Sequence, residues 1–307
     1  MSSHQSENVT DPDRTSLDTI ADFRRLICPL DGEPLTQLGH TLRCPDGHSF
    51  DVARQGYVNL LPVQNKRSRD PGDSREMVAA RRRFLNAGHY QLIADSVASA
   101  VLDTFSGTAI ASCLDAGCGE GYYLRCLQQL IAAEGHCPAE LMGIDISKWA
   151  VQAAAKSQPG GTWLVASNAR LPVASSSVDT VLCMFGFPIL EEFSRILKPQ
   201  GTLVLVEAGP SHLVELRNII YASTKDEHTS EKQFLVGFDR CERMLVKHKL
   251  LLNSASAIAD LLVMTPHMYR ANAQGRSAAL ALSKLTLTVD VSITCWRKTG
   301  DMVPGLT

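Results

Sequence analysis

Two groups of residues in this 307-residue chain have types and spacings that could do chemistry. The first is the run Asp115-Ala-Gly117-Cys-Gly119-Glu120-Gly121-Tyr. Glycines at such a turn let a ligand approach the backbone, and a helix start behind them offers free N–H groups. The spacing Gly-x-Gly-x-Gly is not the Gly-x-Gly-x-x-Gly of a dinucleotide site, because position 122 is Tyr. A carboxylate in front of the first glycine would repel a pyrophosphate. It suits a ligand that carries an amino group or a sulfonium cation. Asp145 stands at the end of a second predicted strand, where its two oxygens can accept both hydroxyls of a ribose. The second group is Cys28-x2-Asp31-x12-Cys44-x3-His48. Zinc takes four tetrahedral N, S or O ligands, and paired knuckles at these spacings suit it. Asp31 would supply an oxygen where a thiolate binds more tightly, His40 is a possible substitute ligand, and a metal-free knuckle held by packing stays open.

These residues need a scaffold. Ile110–Ala116 reads as an apolar strand leading into the glycine turn, and Tyr122–Ala133 as the helix behind it. Strands follow at Leu141–Ile146, Thr162–Ala166, Val178–Met184 and Thr202–Glu207, the last after a Lys198-Pro-Gln-Gly turn, with helices at Lys148–Lys156 and Leu190–Leu197. Short apolar strands alternating with helices predict an α/β fold with a mostly parallel sheet covered on both faces. Near the C-terminus, Leu285, Leu287, Val289, Val291, Ile293 and Cys295 alternate with polar residues. That period of two predicts a half-exposed strand at an antiparallel end of the sheet.

Residues 1–24 are polar and acidic and read as a mobile extension; 25–60 as the small Cys/His module; 61–90 as a basic linker and helix; 91–307 as the ligand-binding α/β domain. Residues 54–83 carry Arg54, Lys66, Arg67, Arg69, Arg75, Arg81, Arg82 and Arg83 against few acids, and Asp73 or Ser74 would cap a helix over Ser74–Phe84. Hydrophobic residues make up 45% of the chain and charged residues 20%, the balance of a globular enzyme. No apolar run is long enough to cross a bilayer, and the acidic first thirty residues predict no signal peptide. Nine scattered cysteines read as reduced thiols of a cytosolic protein. A net charge of −2 does not announce a nucleic-acid binder, so only a local basic patch could serve.

With its glycine turn, the acid after the second strand and the alternating C-terminal strand, the chain resembles the class I (Rossmann-like) S-adenosylmethionine-dependent methyltransferases. That resemblance implies that the turn passes the methionine part, that Asp145 binds ribose, and that the segment Ala166-Ser-Asn168-Ala-Arg-Leu-Pro172 borders the adenine. Where an Asp is usual, Ser167 or Asn168 would have to make a neutral hydrogen bond. More specific are Phe50-Asp-Val-Ala-Arg-Gln-Gly56-Tyr-Val-Asn59-Leu-Leu-Pro62-Val-Gln64, Ala80-Arg-Arg-Arg-Phe84-Leu-Asn-Ala-Gly88-His-Tyr90 and Leu262-Val-Met264-Thr-Pro266. Over about residues 26–297 these resemble the RlmA family of 23S rRNA guanine-N1 methyltransferases, which carry an N-terminal zinc module.

The resemblance implies methyl transfer to N1 of a guanine in a 23S rRNA hairpin, in the cytoplasm, by a homodimer. Cys28, Cys44 and His48 match metal ligands, and Asp31 falls where the family has a third cysteine. Tyr90, Gly119-Glu120 and His212 match cofactor contacts. The family's Tyr-Ala-Pro after the fourth strand appears here as Phe185-Gly-Phe187-Pro188. N1 lies on the pairing edge of guanine, so the base must leave its stack, and Phe185, Phe187 and Pro188 are candidates for its pocket, with ordinary packing as the alternative. Lys66, Arg67, Arg69, Arg81, Arg82 and Arg83 could meet phosphates, or form a solvated face. No Asn-Pro-Pro-Tyr segment points to exocyclic amine methylation, and no general base stands out. A methyltransferase of a small metabolite, or a non-catalytic RNA-binding protein with a degenerate methyltransferase domain, are the competing functions.

Overall fold

The structure, a computed structural model, describes residues 25–65, 68–105, 111–221, 234–265, 267 and 271–300. The predicted extension 1–24, Lys66, Arg67 and Pro266 lie outside the described residues.

The chain begins with a three-stranded antiparallel sheet of β1 (Thr36–Leu38), β2 (Thr41–Arg43) and β3 (Ser49–Asp51). Next come β4 (Tyr57–Asn59), α1 (Arg75–Asn86) and α2 (Gln91–Leu102). The α/β part runs β5 (Ser112–Ala116), α3 (Tyr122–Ala133), β6 (Glu140–Asp145), α4 (Lys148–Ser157), β7 (Thr162–Val165), β8 (Val178–Met184), α5 (Leu190–Ile196), β9 (Leu197–Ala208) and α6 (Val214–Ile220). It closes with β10 (Phe238–Leu252), α7 (Ala255–Met264), α8 (Ala273–Leu280) and β11 (Leu285–Lys298).

The large sheet has the order β10-β11-β9-β8-β5-β6-β7-β4. From β4 through β9 the pairs are parallel, while β11 is antiparallel to β9 and to β10. The chain moves outward from β5 through β6 to β7, then crosses to β8 on the other side of β5. In sheets of this kind the ligand crevice lies at that reversal, outside the carboxyl ends of β5 and β8.

Three findings depart from the sequence expectation. β11 is buried along most of its length, with Thr288, Asp290 and Thr294 all below 10% exposure. It lies between β9 and β10, so both of its edges are paired, and α6 packs against its polar side. Its polar residues are held: Glu215 accepts from the Thr288 hydroxyl and amide, and Asp290 accepts from the Ser211 amide. The edge belongs instead to β10, whose charged outward face hides its strand pattern. Next, Lys198-Pro-Gln-Gly201 is an irregularity within β9, marked by Gln200 at φ +64° and a register shift opposite Val178–Thr180. Finally, Tyr57–Asn59 leaves the small module and pairs with β7 in the large sheet.

Local chemistry explains the elements that frame the crevice. Ser74, not Asp73, caps α1 by accepting from the Met77 amide, and Ser147 caps α4 by accepting from the Ala150 amide. Trp163 is buried against β6 and the α3 start, so close that a Cβ on Gly143 or Gly121 would stand 2.3 or 2.6 Å from its ring. On the opposite face, Leu26, Leu35 and Leu42 of the small module share one core with Leu114, Ile144, Leu164 and Phe193. Each such side chain contributes roughly 1.5–3 kcal/mol by leaving water. The small sheet folds on the large one.

Candidate functional site

The glycine turn is drawn onto the neighbouring strand by two hydrogen bonds. The amides of Gly117 and Cys118 both donate to the Ile144 carbonyl, at 2.8 and 2.9 Å. The turn runs through Gly117 at φ +103° and Gly119 at φ +56°, a path that side chains resist. Beside Gly117 lies open space, with nothing within 4 Å of where a Cβ would be. Asp115, one residue before the end of β5, is fully buried, and neither of its carboxylate oxygens has a hydrogen-bond partner among the described residues. Burial, and then the nearby charge of Asp145, push its carboxyl up to about 8. A buried carboxylate without donors, next to a cradle kept open by glycine, fits a cationic ligand such as an ammonium or sulfonium group.

Asp145 closes β6. Its Oδ2 accepts from the Gly119 amide at 3.0 Å and its Oδ1 from the Ser147 amide at 2.8 Å. Burial raises its carboxyl despite those two donors. The acid therefore ties the glycine turn to the β6–α4 turn. Asn168 follows β7, half-buried in a turn closed by the Ser167–Arg170 bridge. Glu120 does not face the crevice with a free carboxylate. Its side chain is buried and both of its oxygens lie 3.0 Å from Nη2 of Arg125. Burial raises it and Arg125 opposes the rise.

Across the crevice stand Tyr90, His212 and Phe185. The Tyr90 hydroxyl is 3.4 Å from His212 Nε2, and the Asp290 amide donates to His212 Nδ1 at 3.2 Å. Because Nδ1 accepts, the neutral ring carries its proton on Nε2. Burial pushes its pKa down to about 4, so it is neutral at physiological pH. Phe185 leaves β8 at φ +50° and stacks on the His212 ring, with centroids 6.0 Å apart. Phe185 is 41% exposed and Phe187 88% exposed. Neither ring is packed in the core.

The arginines of α1 part company, because successive helical residues point about 100° apart. Arg81 turns inward to Asp73, to the Met264 carbonyl at 2.9 Å and to the glycine turn. Arg83 forks onto Asp260 of α7. Arg81 and Arg83 thus each have partners within the protein, and Arg83 remains 61% exposed. Arg69 and Arg82 stay exposed, and Arg75 lies over the Trp149 ring at 4.1 Å. The sequence offers Asp73 only as a helix cap; its pairing with Arg81 has no signal in spacing alone.

The metal candidates do converge. The ligand atoms of Cys28, Asp31, Cys44 and His48 all lie within 4.8 Å of one another. Cys44 Sγ is 3.1 Å from Asp31 Oδ2 and 3.4 Å from His48 Nδ1, and Asp31 Oδ2 is 2.6 Å from His48 Nδ1. Two matching knuckles present them: the Gly32 amide donates to the Cys28 carbonyl, and the Gly47 amide to the Cys44 carbonyl. The Glu33 amide, more than any other group, holds the Asp31 carboxyl below the usual carboxylate range, while burial raises the Cys28 thiol. Two sulfurs, one nitrogen and one oxygen at this spacing fit tetrahedral zinc. His40, exposed in the β1–β2 turn, is outside the group. None of the nine cysteines is in a disulfide.

Residues 26–69 match the family model of the RlmA N-terminal zinc ribbon, and residues 114–205 match that of a methyltransferase domain. A protein of Micromonospora griseorubida, named as a candidate 23S rRNA (guanine-N(1)-)-methyltransferase, is 37% identical over 208 residues, 62% of this chain and 68% of its own. The 23S rRNA (guanine(748)-N(1))-methyltransferase of Streptomyces fradiae is 38% identical over 195 residues, 63% of this chain and 66% of its own. YxjB of Bacillus subtilis strain 168, named like the first, is 32% identical over 279 residues, 89% of this chain and 96% of its own.

Proposed function

Because the chain belongs to the family of 23S rRNA (guanine-N1)-methyltransferases, we propose that it transfers the methyl group of S-adenosylmethionine to N1 of a guanine in a 23S rRNA hairpin. The observation that carries the cofactor half of this reading is Asp115, a buried carboxylate without donors beside the open cradle at Gly117. A dinucleotide pyrophosphate would meet repulsion there. A cation would relieve the cost of the buried charge.

When bound, S-adenosylmethionine supplies a methyl group already activated on a positively charged sulfur. The protein's work is then to align and to exclude water. In this reading Asp115 faces the ligand's cationic end across Gly117, Gly119 and Gly121, and Asp145 accepts from the ribose hydroxyls. Asn168 offers a neutral hydrogen bond to the adenine edge. Tyr90 and His212 border the opposite wall, with His212 Nε2–H as a fixed donor. Glu120 contributes through its backbone, since its carboxylate is bound to Arg125.

The exposed pair Phe185 and Phe187, with Pro188, supports recognition of a base turned out of its stack, because an aromatic rim can replace the lost stacking. Exposed Arg69 and Arg82 would meet phosphates nearby. Cys28, Asp31, Cys44 and His48 would hold a structural zinc, all four positions being filled by side chains. The division into an extension over 1–24, a zinc module near 25–60, a linker and helix over 61–90 and a catalytic domain beyond is kept, with β4 as the strand that joins module to sheet. The reading includes a homodimer, as the family resemblance implies, and a cytoplasmic site of action, where ribosomal RNA is found. Among the described residues no helix is long and apolar enough to cross a membrane.

Mass-spectrometric mapping of rRNA from cells lacking the gene tests the proposal. One N1-methylguanine is expected to disappear from 23S rRNA and to return with the purified protein and cofactor. An unchanged rRNA pattern, with a methyl acceptor found in the organic extract, would transfer the enzyme to small-metabolite chemistry.

A further inference from the structure

We propose that Arg81 binds the carboxylate at the methionine end of the cofactor, a proposal that rests on the S-adenosylmethionine reading above. Acidic side chains gather around the glycine turn: Asp115 and Asp145 border it, beside the Arg81-bound Asp73. That suits the ammonium and sulfonium of the ligand but leaves its carboxylate facing negative charge. Arg125, on the far side, is taken by the carboxylate and main-chain oxygen of Glu120.

Arg81 supplies the missing complement. Its Nη1 and Cδ lie 3.6 and 3.8 Å from where a Cβ on Gly119 would stand, so the guanidinium lies directly against the turn that passes the methionine part. The side chain is only 26% exposed. It is oriented by two contacts, Nη1 to the Asp73 carboxylate and Nη2 to the Met264 carbonyl. A guanidinium has five N–H donors in a planar fork, so these two leave donors for a further carboxylate. The Asp73 partner is itself positioned by its backbone. Ser147 Oγ donates to the Asp73 carbonyl at 2.7 Å, and Gly72 is so close to the β6–α4 turn that a Cβ there would stand 2.8 Å from Ile146. The loop before α1 thus presses the fork over the turn, and the Asp73 carboxylate already demonstrates the kind of group it accepts. In this arrangement Arg81 is a cofactor-binding residue contributed by the basic linker.

Calorimetric titration with S-adenosylhomocysteine and with its decarboxylated analogue, which keeps the amine and lacks only the carboxylate, isolates the contact. The unaltered protein should bind the full compound on the order of 10- to 100-fold more tightly than the analogue, the range of a charge-assisted hydrogen-bond pair. Arg81→Gln should erase that ratio by weakening the full compound alone. Arg81→Lys, which keeps the charge and loses the fork, should leave a partial ratio and serves if the Gln variant does not fold. Equal weakening of both compounds would make Arg81 a structural brace and overturn the assignment, as would a ratio preserved in both variants. If the unaltered protein bound neither compound, the cofactor reading itself would fall, and this assignment with it.

Discussion

Asp115→Asn separates what the buried carboxylate does for the ligand from what it costs the ligand-free fold. Its carboxyl stands near 8 in the folded protein, chiefly through burial, against about 3.9 in an unfolded chain. The folded pKa is raised, so between those values the native state keeps a proton that the unfolded state releases. Stability therefore falls as pH rises, by about 1.4 kcal/mol per unit, starting near pH 4 and levelling off above pH 8. The four-unit window sets a ceiling of about 5 kcal/mol, and relaxation around the open space at Gly117 brings the expected loss to roughly 2–5 kcal/mol. An amide at the same place does not titrate. It adds its own unpaired groups, an offset of roughly 1–3 kcal/mol that is independent of pH, so the slope is the quantity to compare. Denaturant unfolding of both ligand-free proteins at pH 5, 6.5 and 8.5 should show the variant gaining on the parent at each step. At pH 7 the parent should also release up to one proton on binding S-adenosylmethionine, seen by calorimetry in buffers of different ionisation enthalpy, and the variant none. Parallel stability curves would refute the reasoning, because they would mean that Asp115 is ionised and satisfied in the ligand-free fold.

Asp145→Ala should lower S-adenosylhomocysteine affinity by about 100-fold or more, two charge-assisted hydrogen bonds' worth, while circular dichroism stays that of the parent; unchanged affinity would remove Asp145 from the site. Phe187→Ala should leave thermal stability and cofactor affinity as they are, the side chain being 88% exposed, and cut rRNA methylation by roughly 10-fold through lost base stacking. Full activity in that variant would take the aromatic rim out of substrate binding. The parent protein should retain less than one equivalent of zinc through purification, and Asp31→Cys should raise the chelator concentration needed to strip it by roughly 10-fold or more, a third thiolate replacing an oxygen. Stoichiometric, equally resistant zinc in both would show the carboxylate to be as good a ligand.

Much of the crevice is legible in the chain because its chemistry is local. Asp115 and the glycines follow one strand, Asp145 ends the next, and both strands are short apolar runs that read without ambiguity. The two Cys-Pro knuckles carry their own turn chemistry, so their convergence follows from residues only 20 positions apart at most. What periodicity reports is which side chains share a face. It does not report what covers that face, and that is where expectation and structure part. The alternation in β11 is real, yet its polar side is closed by β10 and α6, with Glu215 and Ser211 meeting Thr288 and Asp290. Likewise the run Arg81-Arg82-Arg83 looks like one basic patch in sequence. On α1 it becomes a crevice residue, a surface residue and a partner for α7. β4 is three residues long and gains its identity only from the edge of β7.

That last pairing changes how the small module relates to the site. A zinc knuckle of this size could hang from a linker and act as a separate RNA finger. Here the chain on both sides of the knuckle is bound to the catalytic sheet. Before it, Leu26 bridges Val173, the Ile27 amide donates to the Pro172 carbonyl at 3.1 Å, and the Ala174 amide donates to the Arg25 carbonyl at 2.8 Å. After it, β4 lies along β7 and the Leu60 amide donates to the Val165 carbonyl at 2.9 Å. Between these two attachments on the sheet runs the segment 166–172, which carries Asn168 to the proposed adenine edge. Cys28 and Cys44 sit in the same core as Leu171 and Val173. The two knuckles are therefore tied to β7 at one end of this segment and to residues 172–174 at the other. The knuckle is thus joined by main-chain hydrogen bonds to both ends of the 166–172 segment, with no side chain of the module needing to enter the crevice.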